Sequence, residues 1–255
     1  MTISLKRFLG TNTLVLTVFG FSSMAFSETQ DNEDKFETFN RAMFGFNMTV
    51  DDYVLEPAAQ GYRKVTNQYV RNRVSSVISN IREPVSAVNH LFQGEFIKAG
   101  KNIGRFVLNS TLGLFGMYDV ASGGWDMSPA KTGFDETLAT WCVKDGPYIV
   151  LPIFGGNTMR SATGEVVDSY MSPVYIATYD QADISAKIVY PYAATVAISK
   201  RERSMDLVND FKKNSVDLYA MSRSAFLQSR KNMPRCGIVE ENTAPDYDFD
   251  FDEEE

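Results

Sequence analysis

Large apolar side chains recur at three- and four-residue spacings through most of this chain, and that spacing constrains its fold more than any other feature. Phe36, Phe39, Met43, Phe46 and Val50 fall on one face of an amphipathic helix predicted over Phe36 to Leu55, which Pro57 would end or kink. Val70, Val74, Val77, Ile78 and Ile81 trace a second helix before Pro84, and a third runs from about Val85 to Phe92. After Gln93-Gly94, residues Phe96, Ile97, Ile103, Phe106 and Val107 define a fourth, with Lys98, Lys101 and Arg105 among its polar positions. From Val166 the pattern is helical again, interrupted at Pro173 and Pro191, with a final helix near Lys231 that Pro234 and Gly237 stop. The expected fold class is mainly α in one domain, without a solenoid repeat.

Two segments break the helical texture. Leu112-Gly113-Leu114-Phe115-Gly116-Met117-Tyr118 is apolar, glycine-spaced and too short to span a bilayer; it suits either an interface or a buried loop, and periodicity does not separate the two. Gly123-Gly124-Trp125 opens a loop region, and Gly146-Pro147 and Gly155-Gly156 bound Tyr148 to Phe154, where a hairpin or extended crossing is expected.

The N-terminus points to export. Lys6 and Arg7 precede an apolar stretch from Phe8 to Phe21, and small residues at Ser23, Ala25 and Ser27 offer a cleavage site, so residues 1–27 are read as a signal peptide. No later uncharged stretch approaches the ~20 residues needed to cross the hydrocarbon. The net charge of −7 is uneven: residues 240–255 carry nine acidic and no basic side chains, while residues 28–239 balance 23 of each. We therefore expect a domain over 28–239 and an acidic, disordered tail over 240–255. A neutral body without a basic stripe speaks against nucleic acid as a partner.

Sites of covalent chemistry are hard to find. His90 is the sole histidine and sits in the apolar run Val88 to Phe92, which suits a structural role better than a general base. The pairs Asp51-Asp52 and Asp135-Glu136 point apart on a helix and read as solvated charge. There is no phosphate-binding loop, no dinucleotide fingerprint, and no Cys/His cluster with metal-ligand spacing, so neither cofactor nor metal is expected. Cys142 and Cys236 are the only cysteines, and an exported chain can oxidise them to one disulfide if geometry permits. The 18 Phe, 12 Tyr, 11 Met and two Trp suit lipid contact, although core packing accounts for most such residues by default.

Several spaced motifs occur in order from Phe39 to about Asp168: Phe39-Asn40-Arg41 with Met43 and Phe46-Asn47; Glu83-Pro84; Asn89; Gln93-Gly94; the string Arg105-Phe106-Val107-Leu108-Asn109-Ser110-Thr111-Leu112-Gly113; Gly116; Asp119; Thr137-Leu138; Gly146-Pro147-Tyr148; Leu151-Pro152; and Arg160. On these residues the chain resembles the MlaA (VacJ) family, the outer-membrane component of a phospholipid transport system. The resemblance implies a ring-like arrangement of amphipathic helices on the periplasmic side of the outer membrane. An amphipathic channel would pass phospholipid mislocalised in the outer leaflet to a soluble periplasmic carrier, maintaining lipid asymmetry. It also implies association with trimeric porins and no enzymatic activity. A porin-binding scaffold that carries no lipid, and a lipid hydrolase, are the rival classes.

Within that frame, Phe44, Phe46 and Met48, together with Leu112, Leu114, Phe115, Met117 and Tyr118, are expected to line the channel or face the membrane. The region from Trp141 to Leu151, with Gly146, Pro147 and Tyr148, is expected to be a mobile element. Two departures from the family pattern stand out. The signal has no cysteine at its cleavage site, which excludes a lipid anchor at the mature N-terminus, and Ala139, Cys142 and Lys144 stand where relatives often show glycines, which would stiffen a hinge.

Overall fold

Helices form where the periodicity places them, but prolines break fewer of them than expected. The computed structural model describes residues 34–125, 127–179, 182–230 and 233. The export segment, the stop at Pro234 and Gly237, Cys236 and the acidic tail lie outside the described residues. From Lys35 the chain forms one compact unit.

Helix α1 (Glu37–Val50) runs through a π-turn at Asp51–Leu55 into α2 (Glu56–Val65). Pro57 therefore does not end the helix. The widened turn directly ahead of it accommodates a ring that would otherwise crowd the Tyr53 carbonyl. The two helices expected on either side of Pro84 are a single 25-residue helix, α3 (Gln68–Phe92), capped at its start by Asn67 Oδ1 on Val70 N at 2.9 Å. Gly94, at φ 79°, reverses the chain into α4 (Phe96–Thr111), and α3 packs against α4. Burial of that shared face offsets the hydrogen bond lost at Pro84.

A short helix, α5 (Val120–Trp125), occupies the expected glycine loop and is followed by α6 (Phe134–Thr140). Strands β1 (Tyr148–Leu151) and β2 (Gly155–Thr158) pair antiparallel with Tyr148 opposite Thr158 and Leu151 opposite Gly155, so a hairpin forms. Helix α7 (Met159–Met171) ends before Pro173, which opens α8 (Pro173–Thr178) at its first turn, where a missing N–H costs nothing. Pro191 lies inside α9 (Ala182–Arg203) without breaking it, and α10 (Met205–Asn214) and α11 (Leu218–Arg230) follow. The apolar centre is small: Tyr148, Val150 and Tyr219, with Met43, Phe44 and Phe226 packed against it.

Candidate functional site

Polarity is inverted across much of the fold. Among the described residues, buried polar and charged side chains outnumber buried hydrophobic ones, while many large apolar side chains are exposed. Helix α4 shows this most clearly. Its buried stripe is Ala99, Asn102, Arg105 and Asn109, and its exposed positions include Phe96, Ile97, Ile103 and Val107. Arg105, a polar position in the sequence pattern, is 3% exposed, and the apolar face of the helix points outward.

The buried stripe is a connected hydrogen-bond network, which is what makes burial of charge tolerable. Arg105 Nε donates to Glu83 Oε1 at 2.8 Å, Nη2 to Asp119 Oδ2 at 3.0 Å and Nη1 to Ser122 Oγ at 2.7 Å and the Met127 carbonyl. Asn102 donates to Glu83, and Asn109 joins Asp119 to the Ala121 amide. Burial alone would raise the Asp119 carboxyl, but hydrogen bonds from Ser122, Arg105 and Asn109 outweigh it and hold it below 3.8. Further along α3, Asn89 bridges Asp168 and Thr137, and His90 lies between Glu95, at 2.8 Å from Nδ1, and the Ala130 carbonyl. Among the described residues the imidazole thus meets a carboxylate and a backbone carbonyl.

Contrary to expectation, both carboxylate pairs are tied into buried ion pairs, and of the four side chains only Asp52 is exposed. Asp51 is buried and receives Arg201 Nε at 2.6 Å and Lys212 Nζ at 2.8 Å; Lys212 also reaches Asp52 and Glu56. The cluster Asp51, Asp52 and Glu56 is the one group among the described residues with the proximity of a metal site, and these two cations already bridge it. Asp135 accepts from Arg160 Nε at 2.7 Å and from both terminal nitrogens of Arg230, while Glu136 closes on Gly133 N. Burial pushes the Glu136 and Asp168 carboxyls up. Spacing alone could not reveal these networks, because their partners lie far apart in sequence.

The segment Leu112 to Tyr118 is an exposed, rigidly built loop. Leu114, Phe115 and Gly116 have φ of 53°, 59° and 87°, and Phe115 is 81% exposed. A left-handed backbone costs a non-glycine residue about 1–2 kcal/mol. Here it is held by Phe115 N on Ser110 O, Gly116 N on Asn109 O, and a close approach of Gly116 to Asn80 that leaves no room for a Cβ. At its rim the Tyr69 and Tyr118 hydroxyls lie 2.7 Å apart, and the Arg73 guanidinium covers both rings. The hairpin tip repeats the device, with Ile153 at φ 71° and both Ile153 and Phe154 exposed.

The other predicted residues separate. Phe46 is exposed and Met48 half-buried, whereas Phe44 packs edge-on against Tyr219 and belongs to the core. The segment from Trp141 to Leu151 is tied at several points: Trp141 Nε1 to Phe92 O at 3.1 Å, Val143 O to Arg160, Asp145 to Arg160 and Arg230, and Gly146, at φ 73°, against Met159. Cys142 has φ 65° and is held in a disulfide.

A groove of about 320 Å³, which the motifs did not single out, opens beside the hairpin. Leu151 and Phe154 form one wall, the α7 stripe Ala162, Glu165, Val166 and Ser169 the floor, and Tyr170 and Tyr175, with rings 5.0 Å apart, the end. Its surface is mostly apolar, and its polar groups are the Glu165 carboxylate and the hydroxyls of Ser169, Tyr170 and Tyr175.

Residues 32–233 match the family described as MlaA lipoprotein. An uncharacterised protein of Rickettsia typhi is 37% identical over 199 residues, 78% of this chain and 76% of its own. The intermembrane phospholipid transport system lipoprotein MlaA of Haemophilus influenzae is 40% identical over 151 residues, 58% of this chain and 60% of its own. The protein of the same name from Escherichia coli is 35% identical over 148 residues, 56% of this chain and 59% of its own. A solved chain, from work on the structural basis for maintenance of bacterial outer membrane lipid asymmetry, superposes with a TM-score of 0.65 at 32% identity, covering 77% of this chain and 96% of that one.

Proposed function

The chain belongs to the MlaA family, and from that premise we propose that it is the outer-membrane component of an intermembrane phospholipid transport system, moving phospholipid without covalent chemistry. The observation that carries this reading is the inverted polarity of α4 and the loop after it. A water-exposed apolar face made of Phe96, Ile97, Ile103, Val107, Leu114 and Phe115 is costly in solution, at ~25 cal/mol per Å² of apolar surface. Against acyl chains the same face is favourable.

No helix among the described residues is long and apolar enough to cross a membrane. Helices of α4's character lie in the plane of a leaflet instead. The interior network gives the protein a polar inside that needs no water, and the groove beside the hairpin offers a place where a lipid can leave its leaflet. Transfer down a free-energy gradient requires no nucleotide, and no motif for one is present. A soluble carrier, for passage onward, and a porin are the partners this proposal entails.

Lipid extraction from the protein purified out of membranes, with mass spectrometry and fractionation, tests it. Stoichiometric phospholipid in outer-membrane material is expected. Lipid-free protein in the soluble periplasm would sink the proposal and favour a scaffold. The variant carrying Leu114→Asp and Phe115→Asp should stay folded, lose membrane retention and lose outer-membrane asymmetry.

A further inference from the structure

Arg73 is a half-buried guanidinium without a carboxylate. It stands four residues after Tyr69 in the first two turns of α3, so both side chains leave the same face of the helix. Nη1 donates to the Met117 carbonyl at 2.8 Å, and the guanidinium carbon lies 5.0 Å from the centroid of the Tyr69 ring and 4.8 Å from that of Tyr118. Nε is enclosed and meets no acceptor, and no carboxylate among the described residues pairs with the side chain. Arg41, Arg63, Arg105, Arg160, Arg201 and Arg230 each close on one. The tyrosines add a donor, because their hydroxyls share a single hydrogen bond at 2.7 Å and the oxygen that accepts keeps its own O–H to give elsewhere. Directly beyond this cluster the chain turns apolar, with Leu112, Leu114, Phe115 and Met117 all exposed. A positive, donor-rich cluster at the foot of an apolar prominence has the polarity of a leaflet followed from phosphate to hydrocarbon, and tyrosine settles at that boundary.

We propose that Arg73, Tyr69 and Tyr118 form a binding site for the phosphodiester of a leaflet phospholipid at the foot of the Leu112 to Tyr118 loop. The assignment rests on the transport reading above and adds to it a specific headgroup contact. A phosphodiester is an anion whose oxygens only accept, so it meets both the uncompensated charge and the spare donors, and guanidinium is the cation best shaped to hold it. An ammonium is repelled there, and an uncharged sugar headgroup leaves the charge unmet. The two rings and the Met117 carbonyl hold the guanidinium in place before any lipid arrives, which lowers the ordering cost of binding. Every phospholipid carries this group, so the site recognises the class and not the alcohol attached to it.

The test measures flotation of the full chain with vesicles of phosphatidylcholine and, separately, of digalactosyldiacylglycerol with the same acyl chains and no phosphate. Wild type should bind the phospholipid vesicles about tenfold more tightly, the scale of one charge-assisted hydrogen bond. Arg73→Met should bring the two affinities together. Tyr69→Phe combined with Tyr118→Phe, which keeps both rings and removes the hydroxyls, should narrow the gap. An unchanged gap in Arg73→Met, at wild-type thermal midpoint, overturns the assignment. Equilibrium dialysis with inorganic phosphate alone should show no retention; phosphate held without vesicles gives the site to the free ion and overturns the lipid as its occupant. Wild type binding both vesicles equally overturns the site alone, with no variant needed, whereas wild type binding neither overturns the transport reading beneath it.

Discussion

Asn40 and Asn47 lie two helical turns apart on α1, and each side chain both donates to and accepts from the backbone of the hairpin. Asn40 Nδ2 reaches Tyr148 O at 3.2 Å while its Oδ1 receives Val150 N at 2.8 Å; Asn47 Nδ2 reaches Leu151 O at 2.8 Å while its Oδ1 receives Ile153 N at 2.7 Å. A two-stranded sheet leaves its outer backbone groups without a ladder partner. These two amides replace a third strand, which gives physical content to the Phe-Asn motifs at 39–40 and 46–47. Asn40→Ala should destabilise the protein by about 1–3 kcal/mol, the cost of leaving a buried donor and acceptor unmet. Asn47→Ala, at a less buried position, should cost less but free the strained Ile153. Urea unfolding and amide exchange at Val150 and Ile153 measure both effects.

The Glu83–Arg105 pair sits between α3 and α4 with both side chains almost fully buried. Arg105→Met strands Glu83 and Asp119 together, and a loss of about 3–5 kcal/mol is expected. Replacing Glu83 by Gln in the same chain should recover part of it. A double-mutant cycle read by urea midpoints would show whether the coupling exists.

Phe115 combines a left-handed backbone with near-complete exposure. Phe115→Gly removes the strain and no packing, so stability in water should hold or rise by up to about 1 kcal/mol. Affinity for phospholipid vesicles should fall about tenfold or more, from the apolar surface lost. Calorimetry and vesicle flotation on the same sample would separate strain from function; equal loss of both would contradict this account.

Asp135 sits between Arg160 and Arg230. Burial alone would raise its carboxyl, but those hydrogen bonds outweigh it and hold it below 3.8. A depressed folded pKa contributes stability that is present above the unfolded value and lost as pH falls through the folded one. Asp135→Asn should therefore be less stable than wild type at neutral pH, with the difference shrinking below about pH 4. Glu136 and Asp168, shifted upward, work in the opposite sense and lose stability as pH rises past their unfolded values. Urea midpoints across an acid series check the sign.

A bond from Cys142 to Cys236, the only other cysteine, would close a loop of more than ninety residues. Such closure is worth about 2–4 kcal/mol. The purified protein should show no free thiol on alkylation, and reductant should lower its thermal midpoint. A titratable thiol in unreduced protein would count against the bond.

Helices were legible in the sequence because their apolar spacing is intrinsic to each segment. Where the reading failed, it failed on context. Pro57, Pro84 and Pro191 look like breaks, yet a π-turn or tertiary packing accommodates each. The amphipathicity of α4 is legible in its spacing but its orientation is not, since spacing reports that two faces differ but not which one meets the solvent. The hairpin followed from its bounding glycines. Its asparagine edge did not, because the partners are more than a hundred residues apart. The groove at Glu165 carries no motif and emerges only when α7 packs against the hairpin.

The outward-facing apolar side of α4 also alters which mutations the protein can absorb. In a water-soluble domain the surface accepts nearly any polar residue and the interior accepts only apolar ones of similar volume. Here Phe96, Ile97, Ile103 and Val107 should exchange freely among hydrophobic residues of many shapes, because a fluid has no fixed contour to match. The positions that tolerate least should be Asn102, Arg105 and Asn109, whose buried side chains hold Glu83, Asp119 and the backbone between α3 and α5 in place. Sequence drift in such a protein concentrates on greasy residues and spares amides and charges, the reverse of what is expected of a soluble globule.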